Sequence, residues 1–234
     1  EGKRLLEPDG VTYSTETMAD DFEFEDWGAY NVIGFMGEKY FAGYLDNAFT
    51  TDDILFEESD DENVLYEGQL MTILLDSDKE MILVPGVPLE LAEGYRLNIK
   101  NIDDNGMLLE LTKNGQVIDS KILLPSTSFA GMDDKTYYFK KDIGDAKGIV
   151  TIAVHFKNAI TIGNQTMATV DGLWQLSDEA RDVSTNTEYD LMTIQTVTSD
   201  SITMNNEDND ITLSRNQEIR LMPGISIRTA NSDD

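Results

Sequence analysis

The fold class is decided by residues 93–124, which read EGYRLNIKNIDDNGMLLELTKNGQVIDSKILL. Apolar and polar side chains alternate from Tyr95 to Lys100, and this period of two residues is typical of a strand with one buried and one solvated face. Asn-Gly pairs at 105–106 and 114–115 provide the positive φ angles that tight hairpin turns require. The stretch therefore predicts three antiparallel strands in a meander.

The second and third strands of this meander each carry apolar residues on one side. These residues are Met107, Leu109 and Leu111, followed by Ile118, Ile122 and Leu124. We expect both sets to face a core, and three strands cannot bury such a face alone. A second sheet must pack against the meander, so the stretch predicts a β-sandwich.

Composition limits the classes of partner. The chain has 17 basic and 45 acidic residues, so its formal net charge is 17 − 45 = −28. Such a charge repels nucleic acid and anionic membrane surfaces, and we expect no nucleic-acid partner. Cysteine is absent, which excludes disulfides and thiolate metal sites.

No run of about 18 apolar residues occurs, so we expect no direct membrane insertion by this fragment. The sequence begins at Glu1 rather than at methionine, which favours a processed product or an excised piece of a larger parent chain.

The chain contains an internal repeat. Leu-Met-Thr-Ile at 70–73 recurs at 191–194, and the apolar residues that follow each copy occur in the same order. Upstream, residues 30–35 parallel residues 149–154. Such ordered recurrence favours duplication over chance.

A polar stretch beyond Pro125 is the best candidate for the boundary between the two copies. We therefore expect an all-β chain of two structurally related β-sandwich domains in tandem, 1–125 and 126–234, between which strands could be exchanged. Helical periodicity is nearly absent, and only residues 177–183 are expected to hold a turn of helix.

Several stretches carry a resemblance to a known family. They are Glu-Gly-Tyr-Arg-Leu at 93–97, the turn at Asp103, Gly-Gln-Val-Ile-Asp at 115–119, residues 30–44, and Val-Asp-Gly-Leu-Trp-Gln-Leu at 170–176. Together they resemble the S-layer duplication domain of methanogen (Methanosarcina-type) archaeal surface-layer proteins. The resemblance covers most of the chain and has no catalytic motif at its centre.

The resemblance implies a structural repeat of an extracellular S-layer glycoprotein of the cell envelope. It implies self-association into a porous two-dimensional lattice on the archaeal cell surface, possibly through hexamers, and contact with a neighbouring repeat of the same parent chain. Combined with the net charge, it predicts a size and charge sieve. The alternative is an extracellular adhesin or a carbohydrate-binding β-sandwich module, because a fold alone does not determine function.

We expect no catalytic residues and no enzymatic activity. His155 is the only histidine, and no Gly-x-Ser-x-Gly motif accompanies it. Its place in the alternation of residues 148–157 puts it on the solvated face of a strand. An extracellular hydrolase would need His155 or two neighbouring carboxylates with shifted pKa values in one pocket.

Calcium is the one cofactor that the acidic clusters could hold, because hard cations take carboxylate oxygens. The weak candidates are Asp20, Asp21, Glu57, Glu58, Asp60, Asp61, Asp208 and Asp210. None forms a complete calcium-loop motif, so a solvated acidic surface is the favoured interpretation.

Two further features bear on function. Asn164-Gln165-Thr166 is an N-glycosylation sequon, and we expect Asn164 to lie in an exposed loop. Trp27 and Trp174 are possible sugar-stacking platforms, but in β-sandwiches such residues more often fill the core. We expect both in the core.

Overall fold

A computed structural model of the chain describes residues 3–5, 10–45, 48–50, 64–127, 130–163, 165–207 and 209–231. Within these residues it contains nineteen strands and one α-helix, and the all-β prediction is confirmed. The strands are β1 (Lys3–Leu5), β2 (Thr12–Asp21), β3 (Ala29–Phe35), β4 (Glu38–Tyr44), β5 (Gln69–Ser77), β6 (Met81–Leu83), β7 (Leu89–Glu90), β8 (Tyr95–Asp103), β9 (Gly106–Lys113), β10 (Gln116–Leu123), β11 (Thr136–Ile143), β12 (Ala146–Ile162), β13 (Gln165–Asp182), β14 (Glu188–Tyr189), β15 (Met192–Val197), β16 (Ser201–Asn205), β17 (Ile211–Leu213), β18 (Glu218–Met222) and β19 (Ile225–Arg228). The α-helix is α1 (Met132–Lys135), and short 3-10 helices occupy Glu25–Trp27, Ala48–Thr50 and Ala92–Gly94.

The predicted meander is present as three antiparallel strands. β8, β9 and β10 form a sheet in the order β10-β9-β8-β7, called the meander sheet below. At the second turn Asn114 has φ 52° and Gly115 has φ 83°, both in the left-handed region that the Asn-Gly pair predicts. Local turn chemistry thus accounts for the second turn. At the first turn the two loop residues are Asp104 and Asn105, and of the predicted Asn105-Gly106 pair only Gly106 has a positive φ, 121°.

A larger sheet runs in the order β11-β12-β13-β5-β4-β3-β2-β16-β15-β14. Strands from before Pro125 form one block in it, β5-β4-β3-β2, and strands from after Pro125 flank that block on both sides, because β13 pairs with β5 and β16 pairs with β2. The predicted division into 1–125 and 126–234 stays a prediction.

One core lies between the meander sheet and β11–β13. Leu109 and Leu111 of β9 meet Val154 and Phe156 of β12 and Leu173 of β13 there, and all five side chains are buried. The second sheet that the meander needed is therefore contributed by residues beyond Pro125.

Another core is built from β3, β4, β5 and the C-terminal strands. Its members include Ile33, Phe35, Leu70, Ile194 and Met204, all fully buried. An aromatic core adjoins both and takes residues from β3, β4, β12 and β13. One copy of the Leu-Met-Thr-Ile motif lies in β5, and the other lies at β15.

The predicted inward direction of Ile118 and Ile122 on β10 is wrong. Ile118 and Ile122 are 42% and 58% exposed, whereas Leu123 is buried. The register of β10 against β9 shifts between Val117 and Asp119, and the strand turns Asp119 and Lys121 toward the core side together with Leu123. A bulge that adds one residue reverses the face to which the side chains on either side point.

The predicted turn of helix at 177–183 is also wrong, because residues 177–182 continue β13. The register of β13 against β5 passes from Leu176↔Ile73 to Ala180↔Met71, so two extra residues bulge out of β13 there. The polar residues Ser177 and Asp178 lie in this bulge.

Candidate functional sites

Both tryptophans lie in the aromatic core, as predicted. Trp27 and Trp174 are fully buried, and the Trp174 ring centroid lies 4.8 Å from that of Phe22 and 4.7 Å from that of Tyr30. Trp174 Nε1 donates a hydrogen bond of 2.8 Å to the Tyr44 hydroxyl. Neither indole is available to stack on a sugar. The two tryptophans therefore do not support the carbohydrate-binding alternative.

A polar network holds the bulge of β13 against the meander sheet. Asp178, whose side chain is 11% exposed, accepts hydrogen bonds from Lys113 of β9, from the Tyr95 hydroxyl of β8 and from Lys141 of β11. The Lys141 Nζ to Asp178 Oδ1 distance is 2.9 Å. Glu93 adds a bond of 2.5 Å from the Ser177 hydroxyl. Four strands, β8, β9, β11 and β13, thus meet at one carboxylate.

Burial and hydrogen bonding act in opposite directions on the pKa of Asp178 in this network. Burial alone would raise the pKa of Asp178, but the hydrogen bonds from Lys113, Lys141 and Tyr95 outweigh that effect and hold the pKa below its usual value. Burial and the neighbouring Asp178 carboxylate raise the pKa of Tyr95 to about 12. Asp178 is therefore ionised, and Tyr95 is neutral, at neutral pH.

The prediction that His155 faces solvent is wrong, because the residue is 6% exposed. Its Nδ1 lies 2.5 Å from Asp171 Oδ1, and the Phe24 ring stacks on it at 4.5 Å. Gly172 lies opposite His155 in the sheet, and a Cβ there would come within 2.9 Å of Phe24. The histidine is packed as a structural pair with Asp171 beneath the segment that carries Phe24.

Three of the eight calcium candidates lie among the residues that the structure describes. Asp20 forms an ion pair of 2.8 Å with Lys39, Asp21 ends β2, and Asp210 is exposed before β17. Glu57, Glu58, Asp60, Asp61 and Asp208 lie outside the described residues. Across the part of the chain that is described, no group of three or more His, Cys, Asp or Glu side chains is arranged to hold a metal ion.

An acidic depression lies at the end of β2. Asp21, Glu23 and Glu25 line an open space of about 520 Å³. Nearby, Asp76 accepts a hydrogen bond of 2.9 Å from the Tyr30 hydroxyl, and burial raises the pKa of Asp76 above its usual value. The depression is wide and open to solvent, so it concentrates negative potential rather than enclosing a ligand.

Asn164 itself lies outside the described residues, between Gly163 and the start of β13. Its glycosylation stays a prediction. Over the described ranges, no helix is both long enough and apolar enough to traverse a bilayer.

The fold and these sites define an acidic, all-β structural protein, in which the buried polar and aromatic groups hold sheets together. The chain belongs to the S-layer protein family, whose sequence profile matches residues 1–231.

Three relatives carry the name "Major S-layer protein". The protein of Methanosarcina mazei is 28% identical over 229 residues, that of Methanosarcina acetivorans is 26% identical over 233, and that of Methanosarcina barkeri is 26% identical over 231. Each alignment covers 95% of this chain and 31% of the relative. The chain thus spans about a third of the length of these relatives, and the expected family is confirmed.

Proposed function

We propose that this chain is a structural repeat of a surface layer, and that it assembles with further copies into a porous, negatively charged lattice on the archaeal cell surface. The family match over residues 1–231 carries the proposal. A non-enzymatic role agrees with it, because the buried polar groups described above serve to join strands. Hexagonal symmetry of the lattice is part of the proposal.

The charge of the chain supports a selective function for such a lattice. Even if each of the 17 basic residues paired with one carboxylate, 45 − 17 = 28 carboxylates would stay unpaired. Their field extends over a Debye length of about 8 to 10 Å at moderate ionic strength. Such a distance matters in a narrow pore, so the lattice would exclude large molecules by size and anions by charge. Calcium and other cations would assist assembly by screening repulsion or by bridging carboxylates.

The charge sieve predicts selective flux that depends on salt. Through isolated envelope sheets, a cationic probe should pass faster than an anionic probe of equal size, and the ratio should fall toward one at about 1 M salt, where the Debye length is about 3 Å. Fluorescence flux measurements provide the test. Sheets whose carboxylates have been amidated serve as the control with the same pores, and a ratio that does not change with salt would contradict the charge sieve.

A further inference from the structure

The edge strand of the meander sheet turns an apolar face to solvent. Val117, Ile118, Ile122 and Leu124, called the β10 patch below, are 57%, 42%, 58% and 38% exposed. On β9, Thr112 and Leu108 lie opposite Val117 and Ile122. Exposed apolar residues that occur singly are ordinary, but four along one edge strand of a sheet mark a candidate surface for contact with another molecule.

The outward direction of the patch is enforced from the core side. Asp119 accepts a hydrogen bond of 2.5 Å from the Tyr137 hydroxyl, and Lys121 lies 5.2 Å above the Tyr138 ring and bonds the Thr136 carbonyl. Leu123 is buried beside them. Rotation of β10 to bury its apolar side chains within this chain would break the contacts of Asp119 and Lys121 and leave polar groups without partners.

The patch also lies in a stretch of the chain that carries no net charge. Residues 95–124 contain four basic and four acidic side chains, so their net charge is 4 − 4 = 0, against −28 for the whole chain. On the outer face Glu110 is paired with Lys100 at 3.0 Å, and Glu90 is paired with Arg96 at 2.9 Å. Two copies of so acidic a chain repel each other less where these neutral strands face their counterparts than where two acidic surfaces meet.

We infer that the β10 patch is a contact surface between two copies of this chain, with patch facing patch. The inference rests on the self-assembly proposed above and names the surface that performs it. An apolar surface is complementary to its own copy, which is what a two-fold contact requires. A stable pairwise interface uses about 20 to 30 residues on each side. The β10 patch has only four residues, so a single contact through it is weak. The contact gains strength when it is repeated between many copies in one lattice.

The first test compares two variants that add the same negative charge. Ile122→Glu lies in the patch, and Ile82→Glu on β6 is its control because Ile82 is 66% exposed outside the patch. Both variants should keep the circular dichroism spectrum of the parent. By sedimentation velocity, Ile122→Glu should raise the concentration needed for self-association at least about tenfold, while Ile82→Glu should change it far less.

The outcomes separate the surface from the function. If the parent chain associates and Ile122→Glu associates equally well, or if both variants are impaired equally, the β10 patch is overturned and the proposed function stands. If the parent chain stays monomeric at all concentrations, the β10 contact surface and the proposed function are both wrong. A parent chain that binds only a different partner through the patch also overturns the inference.

A second test introduces single cysteines. The chain has no cysteine of its own, so an introduced one can form a disulfide only with another molecule. Ser120 is exposed on β10 between the apolar residues of the patch, and Ser226 is exposed on β19. If patch faces patch, Ser120→Cys should oxidise to a disulfide-linked dimer at least about tenfold faster than Ser226→Cys under the same conditions. Equal rates would overturn the two-fold arrangement.

Discussion

Trp174→Ala is expected to remove a large part of the stability of the chain. The indole is fully buried against several aromatic rings, and its Nε1 donates to Tyr44, whose hydroxyl in turn bonds the Val150 carbonyl at 2.5 Å. Truncation of a buried tryptophan to alanine costs about 3 to 5 kcal/mol, and the free energy of unfolding of a domain is typically only about 5 to 15 kcal/mol. Urea denaturation followed by circular dichroism measures the loss.

Two controls separate the sources of that loss. Tyr44→Phe keeps the ring and removes both hydrogen bonds, so it should cost about 1 to 2 kcal/mol. Met18→Ala replaces a side chain that is 67% exposed, and its effect should stay within about 0.5 kcal/mol. If Trp174→Ala cost no more than Met18→Ala, the aromatic core would not join β4, β12 and β13 as described.

Asp178→Asn is expected to loosen the contact between the β13 bulge and the meander sheet. Breaking a fully buried ion pair costs about 3 to 5 kcal/mol. The Lys113 and Lys141 side chains are 30% and 37% exposed and can rehydrate, so we expect about 2 to 3 kcal/mol here. Glu90→Gln breaks a pair in which both side chains are more than half exposed, and as a control it should cost much less.

The pH dependence of the Asp178 effect has a definite sign. The folded chain holds the pKa of Asp178 below its usual value, so the stabilisation is fully present above the unfolded-state pKa of about 4 and is lost as the pH falls through the folded-state pKa. The difference in unfolding free energy between the parent and Asp178→Asn should therefore shrink between about pH 5 and pH 3. A difference that stays constant over that range would contradict the ionised network.

The parts of the fold that were predictable depend on neighbours in sequence. The alternation that begins at Tyr95 and the Asn-Gly turn at 114–115 act within a few residues, so the meander could be predicted from them. The Leu-Met-Thr-Ile motif that recurs at 70–73 and 191–194 is likewise visible without knowledge of contacts, and the duplication that it indicates stays a prediction.

The parts that could not be predicted depend on register and on distant strands. The bulge at Ile118 reversed the direction of the β10 apolar residues, and the bulge at Ser177 resembled a helix start. Asp178 meets Lys113 and Lys141 only because β9, β11 and β13 meet in space. No local spacing marks these residues, and His155 was misplaced because its cover, Phe24, comes from the far end of the chain.

The central claim is that copies of this acidic chain assemble into a lattice. Electron microscopy of the concentrated protein, with and without calcium, tests it most directly. Two-dimensional sheets with regular pores are expected, and added cations should promote them because cations screen the repulsion between like-charged copies. Isolated monomers under every condition, or aggregates without order, would contradict it.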